Sequence, residues 1–291
     1  MATTVLLGTQ FIAAQKIDSK DLVPFVKHTL DFAKVDDQTL KLDLYLPKEQ
    51  ASPSPLIVYV HGGAWRAGSR EGLPLLELLN HGWAIASVDY RLSGDAKFPA
   101  QVHDIKAAIR FLRAQEEAQG YDAKSIVIAG SSAGGHLAAL VGVTNGHEAL
   151  EGEVGGHGDA DSSVQAIVSF YGASNLTTIL RQSTPHGLSV RVPALKLLLG
   201  GSPEEEPGLA RLDSPVVHVD GQDPPLLLLH GDQDPQMPIN QSHELEGAYK
   251  NVGASVRLDV VHGGAHGGEV FYTSSQLESV ASFCNRIVGK H

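Results

Sequence analysis

The sequence predicts an α/β protein built on one mainly parallel β-sheet with helices on both faces. Short runs that are apolar at nearly every position alternate along the chain with longer stretches of helical periodicity, as in parallel sheets covered on both sides. The length of 291 residues suits one large domain or two small ones, and the hydrophobic content of 42% is enough for a sizeable core.

The predicted strands fall into two groups. Residues 28–33 and 40–46 alternate apolar and polar side chains, which predicts an antiparallel, half-exposed pair of strands that ends at Pro47. Apolar runs then predict the strands of the main sheet at residues 55–60, 83–89, 125–130, 164–171, 225–229 and 256–261.

The predicted helices lie mostly between these strands. The clearest covers residues 99–117, where Val102, Ile105, Ile109 and Leu112 recur at helical spacing and charged residues occupy the other side. Comparable patterns predict further helices at residues 133–144, 239–252 and 275–288.

Two segments fall outside this alternation. Residues 174–222 contain more chain than a simple crossover needs, so we expect a cap-like excursion there. We expect residues 1–27 to form an N-terminal extension and residues 28–291 to form one domain. The extension makes a poor signal peptide because no Lys or Arg precedes its apolar runs. The protein is therefore expected to be soluble and cytoplasmic as written, or secreted or periplasmic if a leader has been removed.

Composition excludes several classes of function. The net charge of −11 offers no basic surface for nucleic acid or an anionic membrane, and no apolar run of about 18 residues predicts a membrane span.

Cys284 is the only cysteine, so no intrachain disulfide forms, and its apolar surroundings predict a small buried side chain. No spacing of His, Cys and Asp predicts a metal site, and the acidic loop at 151–163 is expected to be solvated. The oligomeric state cannot be predicted from the sequence.

Ser132 gives the first indication of function. It is the centre of a G-x-S-x-G pattern, Gly130-Ser131-Ser132-Ala133-Gly134, which chance alone produces in many Gly-rich chains. Its context is more specific, because an apolar strand precedes it and an Ala/Leu-rich helix follows. A serine on such a sharp turn needs small neighbours, which Gly130 and Gly134 supply. The pattern predicts a nucleophilic serine.

Candidate donors for an oxyanion lie at the end of an earlier strand. The run His61-Gly62-Gly63-Ala64-Trp65 directly follows residues 55–60. Backbone N–H groups of Gly62, Gly63 and Ala64, together with that of Ala133 after the serine, are expected to form an oxyanion hole. The alternative is an ordinary Gly-Gly turn.

A general base is expected late in the chain, in a loop after the last strand. His266 fits, because the glycines of the segment 262–268 form a loop that can bring its imidazole over Ser132. His262 is the rival candidate, although it falls at the end of the strand.

The acid that orients this base is expected between the serine and the histidine in sequence. Asp234 is the preferred candidate, because Pro235 keeps its backbone out of the helical region and holds it in a turn. Asp232 remains the alternative acid, or a residue that stabilises the turn. The order Ser132, Asp234, His266 is that of an α/β-hydrolase.

Other polar and aromatic residues are given structural roles. His136, on the helix after Ser132, is expected to be a hydrogen-bonded structural residue, and the segment 89–92 is expected to form a buried polar network that braces the sheet. Trp65 is predicted either to line the acyl pocket or to pack in the core. Together with residues 146–163 and 174–222, it is expected to shape the substrate pocket.

These motifs identify a family resemblance that covers residues 28 to 287. The chain resembles the hormone-sensitive-lipase-like α/β-hydrolases, and within them the bacterial feruloyl-esterase-like branch labelled BD-FAE. The blocks that carry the resemblance are HGGAW at 61–65, DYRLS at 89–93, FPAQVHDIKAAIRFLRA at 98–114, GSSAGG at 130–135, VQAIVSFYG at 164–172 and PPLLLLHGDQDPQMP at 224–238. Ser131 departs from the family pattern, in which Asp or Glu is common at this position.

The resemblance implies an α/β-hydrolase fold with a small cap-like insertion, and a carboxylesterase that acts through an acyl-enzyme without a cofactor or metal. Its implied substrates are small-molecule esters with short acyl, feruloyl or acetylated-sugar groups, and the natural substrate is not specified. The alternatives are a serine peptidase or amidase, and a ligand-binding protein that has lost catalysis.

Overall fold

The computed structural model describes residues 22–49 and 52–289. Its strands are β1 Phe25–Val35, β2 Gln38–Pro47, β3 Pro55–Val60, β4 Ala84–Val88, β5 Asp122–Ser131, β6 Ala166–Phe170, β7 Leu226–Gly231 and β8 Val256–Val261. They form one sheet in the order β1-β2-β4-β3-β5-β6-β7-β8. Strands β3 to β8 run parallel, while β2 is antiparallel to both β1 and β4. The predicted mainly parallel sheet and the predicted antiparallel pair of strands are confirmed, and the pair lies at one edge of the sheet.

Helices cover both faces of the sheet. They are α1 Ala100–Gln119, α2 Ala133–Gly142, α3 Glu148–Glu151, α4 Ile179–Gln182, α5 Pro185–Leu199, α6 Pro207–Leu212, α7 Asn240–Val252 and α8 Ser274–Val288. The structure confirms the four helices predicted from periodicity, which correspond to α1, α2, α7 and α8, with ends within two residues of those predicted.

Alternate residues of the strands point to two hydrophobic cores. Along β3, Leu56, Val58 and Val60 face a core shared with α1, α2, α5 and α7, while Ile57 and Tyr59 face a second core closed by α8 and a 3₁₀ turn. This two-sided burial explains why the parallel strands are apolar at nearly every position. Cys284 is buried in the second core, as its apolar context predicts.

The prediction that β2 is half exposed is wrong. Every residue from Leu42 to Pro47 is buried, because β2 lies between β1 and β4 and both of its faces are covered. The polar position that suggested exposure, Asp43, is paired inside the protein: Lys27 Nζ lies 2.8 Å and Arg70 Nε 3.2 Å from its carboxylate oxygens. The polar residue in this alternating pattern is therefore a buried, ion-paired carboxylate and does not indicate an exposed face of the strand.

The N-terminal extension and the excursion can be described only in part. Phe25, Val26 and Lys27, assigned from the sequence to the extension, pair with β2. Residues 1–21, with their apolar runs, lie outside the described residues. The excursion at 174–222 contains α4, α5, α6 and a 3₁₀ turn at Pro215–Val217. In the described ranges, no helix combines the length and apolarity that a membrane span requires.

Candidate active site

Ser132 lies on a sharp turn between β5 and α2. Its backbone has φ 55° and ψ −116°, a conformation that costs energy for any residue other than glycine. A Cβ on Gly130 would lie 2.2 Å from the Gly134 carbonyl oxygen, and one on Gly134 would lie 2.0 Å from that of Val60. Both positions exclude a side chain, so the small neighbours are a steric requirement of this turn.

Three side chains from distant parts of the chain meet at this turn. Ser132 Oγ lies 2.8 Å from His266 Nε2, and His266 Nδ1 lies 2.7 Å from Asp234 Oδ2. The Nδ1–H tautomer donates to the carboxylate and leaves Nε2 free to accept the serine O–H. The structure thus brings together the three residues predicted as nucleophile, acid and base.

The carboxylate of Asp234 is held by its own loop as well as by the histidine. Its Oδ1 accepts from the backbone N–H of Gln236 and of Met237, each at 2.8 Å, and His230 Nε2 lies 3.4 Å from Oδ2. Burial alone would raise the pKa of this carboxyl, but the hydrogen bonds from His230, His266 and the loop outweigh burial and hold the pKa below its usual range. Asp234 is therefore ionised at neutral pH.

His266 is neutral at neutral pH. Burial lowers the pKa of its imidazole, and the Arg191 and His230 charges act in the same direction, while the hydrogen bond and charge of Asp234 act in the opposite one. The ring also packs edge-on against Tyr171, with their centroids 4.9 Å apart. A neutral imidazole bonded to a serine hydroxyl can act as a general base.

The backbones of the acid and base loops approach closely. Gln233 N–H donates to the Gly264 carbonyl at 3.0 Å, and a Cβ on Gly231 would lie 2.1 Å from that same oxygen. Gly231, at the end of β7, is thus needed for the close contact with the base loop, and this contact fixes the distance between the two loops.

The turn after β3 is strained in the same way as the serine turn. Gly63, Ala64 and Trp65 have φ values of 119°, 52° and 59°. A Cβ on Gly62 would lie 3.4 Å from that of Ser132, which places this turn against the predicted nucleophile. Among the residues that the structure describes, the N–H groups of Gly63, Ala64 and Ala133 donate to no protein acceptor. Free amides beside a nucleophile are suited to bind a developing oxyanion.

Trp65 lies inside the core, with no exposed surface. Its indole N–H donates to His136 Nδ1 at 3.1 Å, and His136 Nε2 lies 2.7 Å from the Asp213 carbonyl oxygen in the excursion. His136 is therefore hydrogen-bonded through both ring nitrogens, as its structural role predicts. These bonds connect the strained turn after β3, the helix that begins after Ser132 and the excursion.

Asp232 and His262, the rival acid and base, form a separate pair. His262 Nδ1 lies 2.9 Å from Asp232 Oδ2, and Gly263 N–H donates to Asp232 Oδ1 at 2.8 Å. The His262 side chain is 86% exposed, and His266 is the histidine bonded to Ser132. The Asp232 carboxylate joins the two loops instead of orienting the base.

The predicted polar network at 89–92 is also present. Arg70 donates to Asp89 through its backbone N–H and its guanidinium, and Arg91 makes a bidentate pair with the buried Asp104. Tyr90 stacks on His61, with their centroids 4.4 Å apart. This network supports the strand end from which the Gly62–Trp65 turn begins.

Several contacting residues were given no role from the sequence. Ser131, beside Ser132, accepts from Tyr59 at 3.1 Å and shares a 2.7 Å hydrogen bond with Tyr272. The Tyr272 hydroxyl also bonds Tyr171 at 2.6 Å. These hydroxyls form a neutral cluster where an acidic residue is common in the family. His230 belongs to the quoted HGDQDP run and could have been noticed there, whereas nothing in the sequence around Arg191 points to the site.

No set of three or more His, Cys, Asp or Glu side chains in the described parts of the chain is arranged to hold a metal ion.

Comparison with known proteins identifies the family. The family model BD-FAE matches residues 42–249. The chain belongs to the BD-FAE family. Among solved structures, this BD-FAE protein is similar to a truncated form of a carbohydrate esterase from gut microbiota, with a TM-score of 0.84 and 31% identity over 94% of this chain and 99% of the other. Thermogutta terrifontis esterase 2 phosphonylated by sarin has a TM-score of 0.76 and 26% identity, covering 91% and 97% of the two chains. The fold is therefore that of the α/β-hydrolases.

Two curated relatives are named as esterases. Esterase LipC of Mycobacterium tuberculosis is 31% identical over 260 residues, 87% of this chain and 63% of LipC. Isoprenylcysteine alpha-carbonyl methylesterase ICME of Arabidopsis thaliana is 31% identical over 238 residues, 79% of this chain and 54% of ICME. The BD-FAE chain thus spans about 54% to 63% of the length of these relatives.

Proposed function

We propose that the protein is a serine carboxylesterase with Ser132 as nucleophile, His266 as general base and Asp234 as the residue that orients the base. The hydrogen-bonded series Ser132 Oγ to His266 Nε2 at 2.8 Å and His266 Nδ1 to Asp234 at 2.7 Å carries this proposal. The esterase names of the relatives and structural neighbours support the same reaction class.

In the acylation half of the reaction, Ser132 Oγ bonds to the ester carbonyl carbon as its proton passes to His266 Nε2. The carbonyl oxygen becomes an oxyanion, which the backbone N–H groups of Gly62, Gly63, Ala64 and Ala133 are suited to receive. Collapse of this intermediate breaks the carbon–oxygen bond to the alcohol, which leaves with the proton from the imidazole.

In the deacylation half, His266 takes a proton from water as the water oxygen attacks the acyl carbon. The second oxyanion collapses, Ser132 Oγ recovers the proton, and the carboxylic acid is released. The ionised Asp234 stabilises the imidazolium in both halves, and the low pKa of this carboxyl keeps it from taking the proton itself.

For the substrate we propose esters with a small acyl group, including acylated carbohydrates. The structural neighbours support this class, since one is a carbohydrate esterase and Thermogutta terrifontis esterase 2 has structures with bound propionate and with bound butyrate. A panel of aryl esters of increasing acyl length, alongside acetylated xylan and methyl ferulate, ranks these candidates.

The direct test is Ser132→Ala on an aryl acetate. We expect kcat to fall by about 10⁴- to 10⁶-fold, because the variant lacks the nucleophile and keeps only binding and the oxyanion site. A phosphonate probe is expected to label the wild type and leave the variant unlabelled.

Ser131→Ala is the matched control, since it removes the adjacent hydroxyl from the tyrosine cluster and leaves the nucleophile in place. We expect it to retain phosphonate labelling and activity within about tenfold of wild type. Substantial turnover by Ser132→Ala would contradict the proposal, as would a wild type that neither labels nor hydrolyses any ester in the panel. Faster hydrolysis of a matched anilide than of the ester would favour the amidase alternative.

A further inference from the structure

The excursion contains a deeply buried arginine close to the candidate triad. Arg191 lies on α5 with 1% of its surface exposed, and one guanidinium nitrogen, Nη2, donates to the Gln236 carbonyl oxygen. The N–H of that same Gln236 donates to Asp234 Oδ1 at 2.8 Å. A single residue therefore separates the arginine from the carboxylate.

Other groups of α5 hold the same short loop. Thr184, at the start of the helix, donates from Oγ1 to the Pro235 carbonyl at 2.5 Å. A Cβ on Gly187 would lie 2.9 Å from the Gln236 carbonyl, so the helix backbone is in contact with the loop. The Asp234 carboxylate accepts hydrogen bonds from N–H groups of this loop. Thr184 and Arg191 donate hydrogen bonds to carbonyl oxygens of the same loop. Both sets of polar groups are therefore satisfied.

The charge of Arg191 is not neutralised by a nearby ion pair. Within the described residues, no carboxylate lies within 4 Å of its guanidinium, and its Nε has no hydrogen-bond partner. By contrast, the buried ammonium of Lys106 lies 2.6 Å from Glu151. An unpaired buried cation is costly, and such costs concentrate at functional sites. The groups with which Arg191 interacts electrostatically are Asp234, favourably, and His266, unfavourably.

We propose that Arg191 is a positioning residue of the esterase site, which holds the acid loop from the excursion and sets a buried positive charge against the Asp234–His266 pair. This inference rests on the proposed function. It gives the excursion a role in the chemistry, in addition to any part it has in forming a substrate pocket.

The charge has a defined consequence for pH dependence. The titratable or charged groups around His266 are His230 in β7, Asp234 in the loop after β7, Arg191 on α5 and the Tyr171 ring after β6. Of these, Arg191 and His230 disfavour the imidazolium, and Asp234 favours it. Removal of the arginine charge is therefore expected to raise the pKa of the base, so that the enzyme loses activity at a higher pH on acidification.

Two variants separate the charge from the hydrogen bond. Arg191→Gln removes the charge and keeps an amide donor for the Gln236 carbonyl. Thr184→Val removes a neutral contact to the same loop. The readout is the pH profile of kcat/KM on an aryl acetate, repeated as the rate of phosphonate labelling, with folding checked by thermal unfolding.

We expect the acid limb of the Arg191→Gln profile to move up by about 0.5 to 1.5 pH units. Thr184→Val is expected to lower kcat by up to about 10²-fold without moving the limb. An unmoved limb in folded Arg191→Gln, or an equal movement in Thr184→Val, would overturn the inference. A wild type with neither turnover nor labelling would instead overturn the proposed function, so the two failures are distinct.

Discussion

The two halves of the candidate site are built by different means. The nucleophile side consists of Ser132 and the turn Gly62–Trp65, and its geometry resides in strained backbone that glycines make possible. The acid–base side consists of the loops 232–237 and 262–268, and side-chain hydrogen bonds among distant segments place its functional groups. Changes of the backbone are therefore expected to disrupt the first side, and changes of hydrogen-bonding groups to disrupt the second.

Among the variants that compare the two sides, the largest effect is expected from a conservative change on the acid–base side. Asp234→Asn keeps an oxygen for the N–H groups of Gln236 and Met237, so the loop is expected to stay in place. Its amide nitrogen would face His266 Nδ1, favour the wrong tautomer and leave the imidazolium unstabilised. We expect kcat for an aryl ester to fall by about 10³- to 10⁴-fold, with little change in thermal unfolding.

Asp232→Asn is the matched control for that loss. Its carboxylate bonds His262 and the Gly263 N–H, and neither contacts the serine. We expect activity within about fivefold of wild type, in line with the loss of one partly exposed hydrogen bond. If Asp232→Asn lost more activity than Asp234→Asn, the two assignments would have to be exchanged.

The second largest effect is expected from a single methyl group on the nucleophile side. Gly134→Ala would place Cβ 2.0 Å from the Val60 carbonyl and 2.5 Å from that of His61, both backbone atoms that cannot rotate away. We expect the free energy of unfolding to fall by about 3 kcal/mol or more, as measured by urea denaturation. Phosphonate labelling is expected to fall with it, because the turn itself would be displaced.

Gly247→Ala provides the control for a glycine that the backbone does not require. It lies within α7 and an added Cβ would meet nothing within 4 Å. We expect it to stabilise the protein by up to about 1 kcal/mol, because alanine is the better helix former. Similar unfolding curves for the two variants would refute the steric requirement for glycine at position 134.

The same distinction explains what could be predicted from the sequence. The strand ends around Gly62–Ala64 and the Ser132 turn are local, so runs of apolar residues followed by small ones suffice to predict them. Strands 55–60 and 256–261 were predicted with the ends that the structure has. Arg191 could not be assigned in this way, because its role depends on a contact between the excursion and a loop that periodicity does not encode. The prediction that β2 is half exposed was wrong for a related reason. The cationic side chains that pair with the buried Asp43 carboxylate come from other segments of the chain.

The smallest effect is on the pH dependence of stability. It concerns His136, the histidine on α2 that is hydrogen-bonded to Trp65 of the nucleophile side. Burial lowers the pKa of His136 from 6.5 to about 4, and its single ring proton is committed to the Asp213 carbonyl while Nδ1 accepts from Trp65. Because the folded pKa lies below the unfolded one, the unfolded state binds more protons as pH falls below 6.5. This contribution to stability is present above pH 6.5 and is progressively lost toward pH 4.

His136→Gln isolates that contribution. A glutamine offers an oxygen to the Trp65 N–H and an N–H to the Asp213 carbonyl, but it does not titrate. Between pH 7 and pH 5.5, urea denaturation of the wild type should show about 1 kcal/mol more loss of unfolding free energy than the variant. Some slope should persist in His136→Gln, since burial also lowers the pKa of His61 and His266. If unfolding free energy changed with pH equally in His136→Gln and the wild type, His136 would bind a proton as readily in the folded protein as in the unfolded chain. The hydrogen bond from the Trp65 N–H to His136 Nδ1 would then not prevent protonation of that nitrogen.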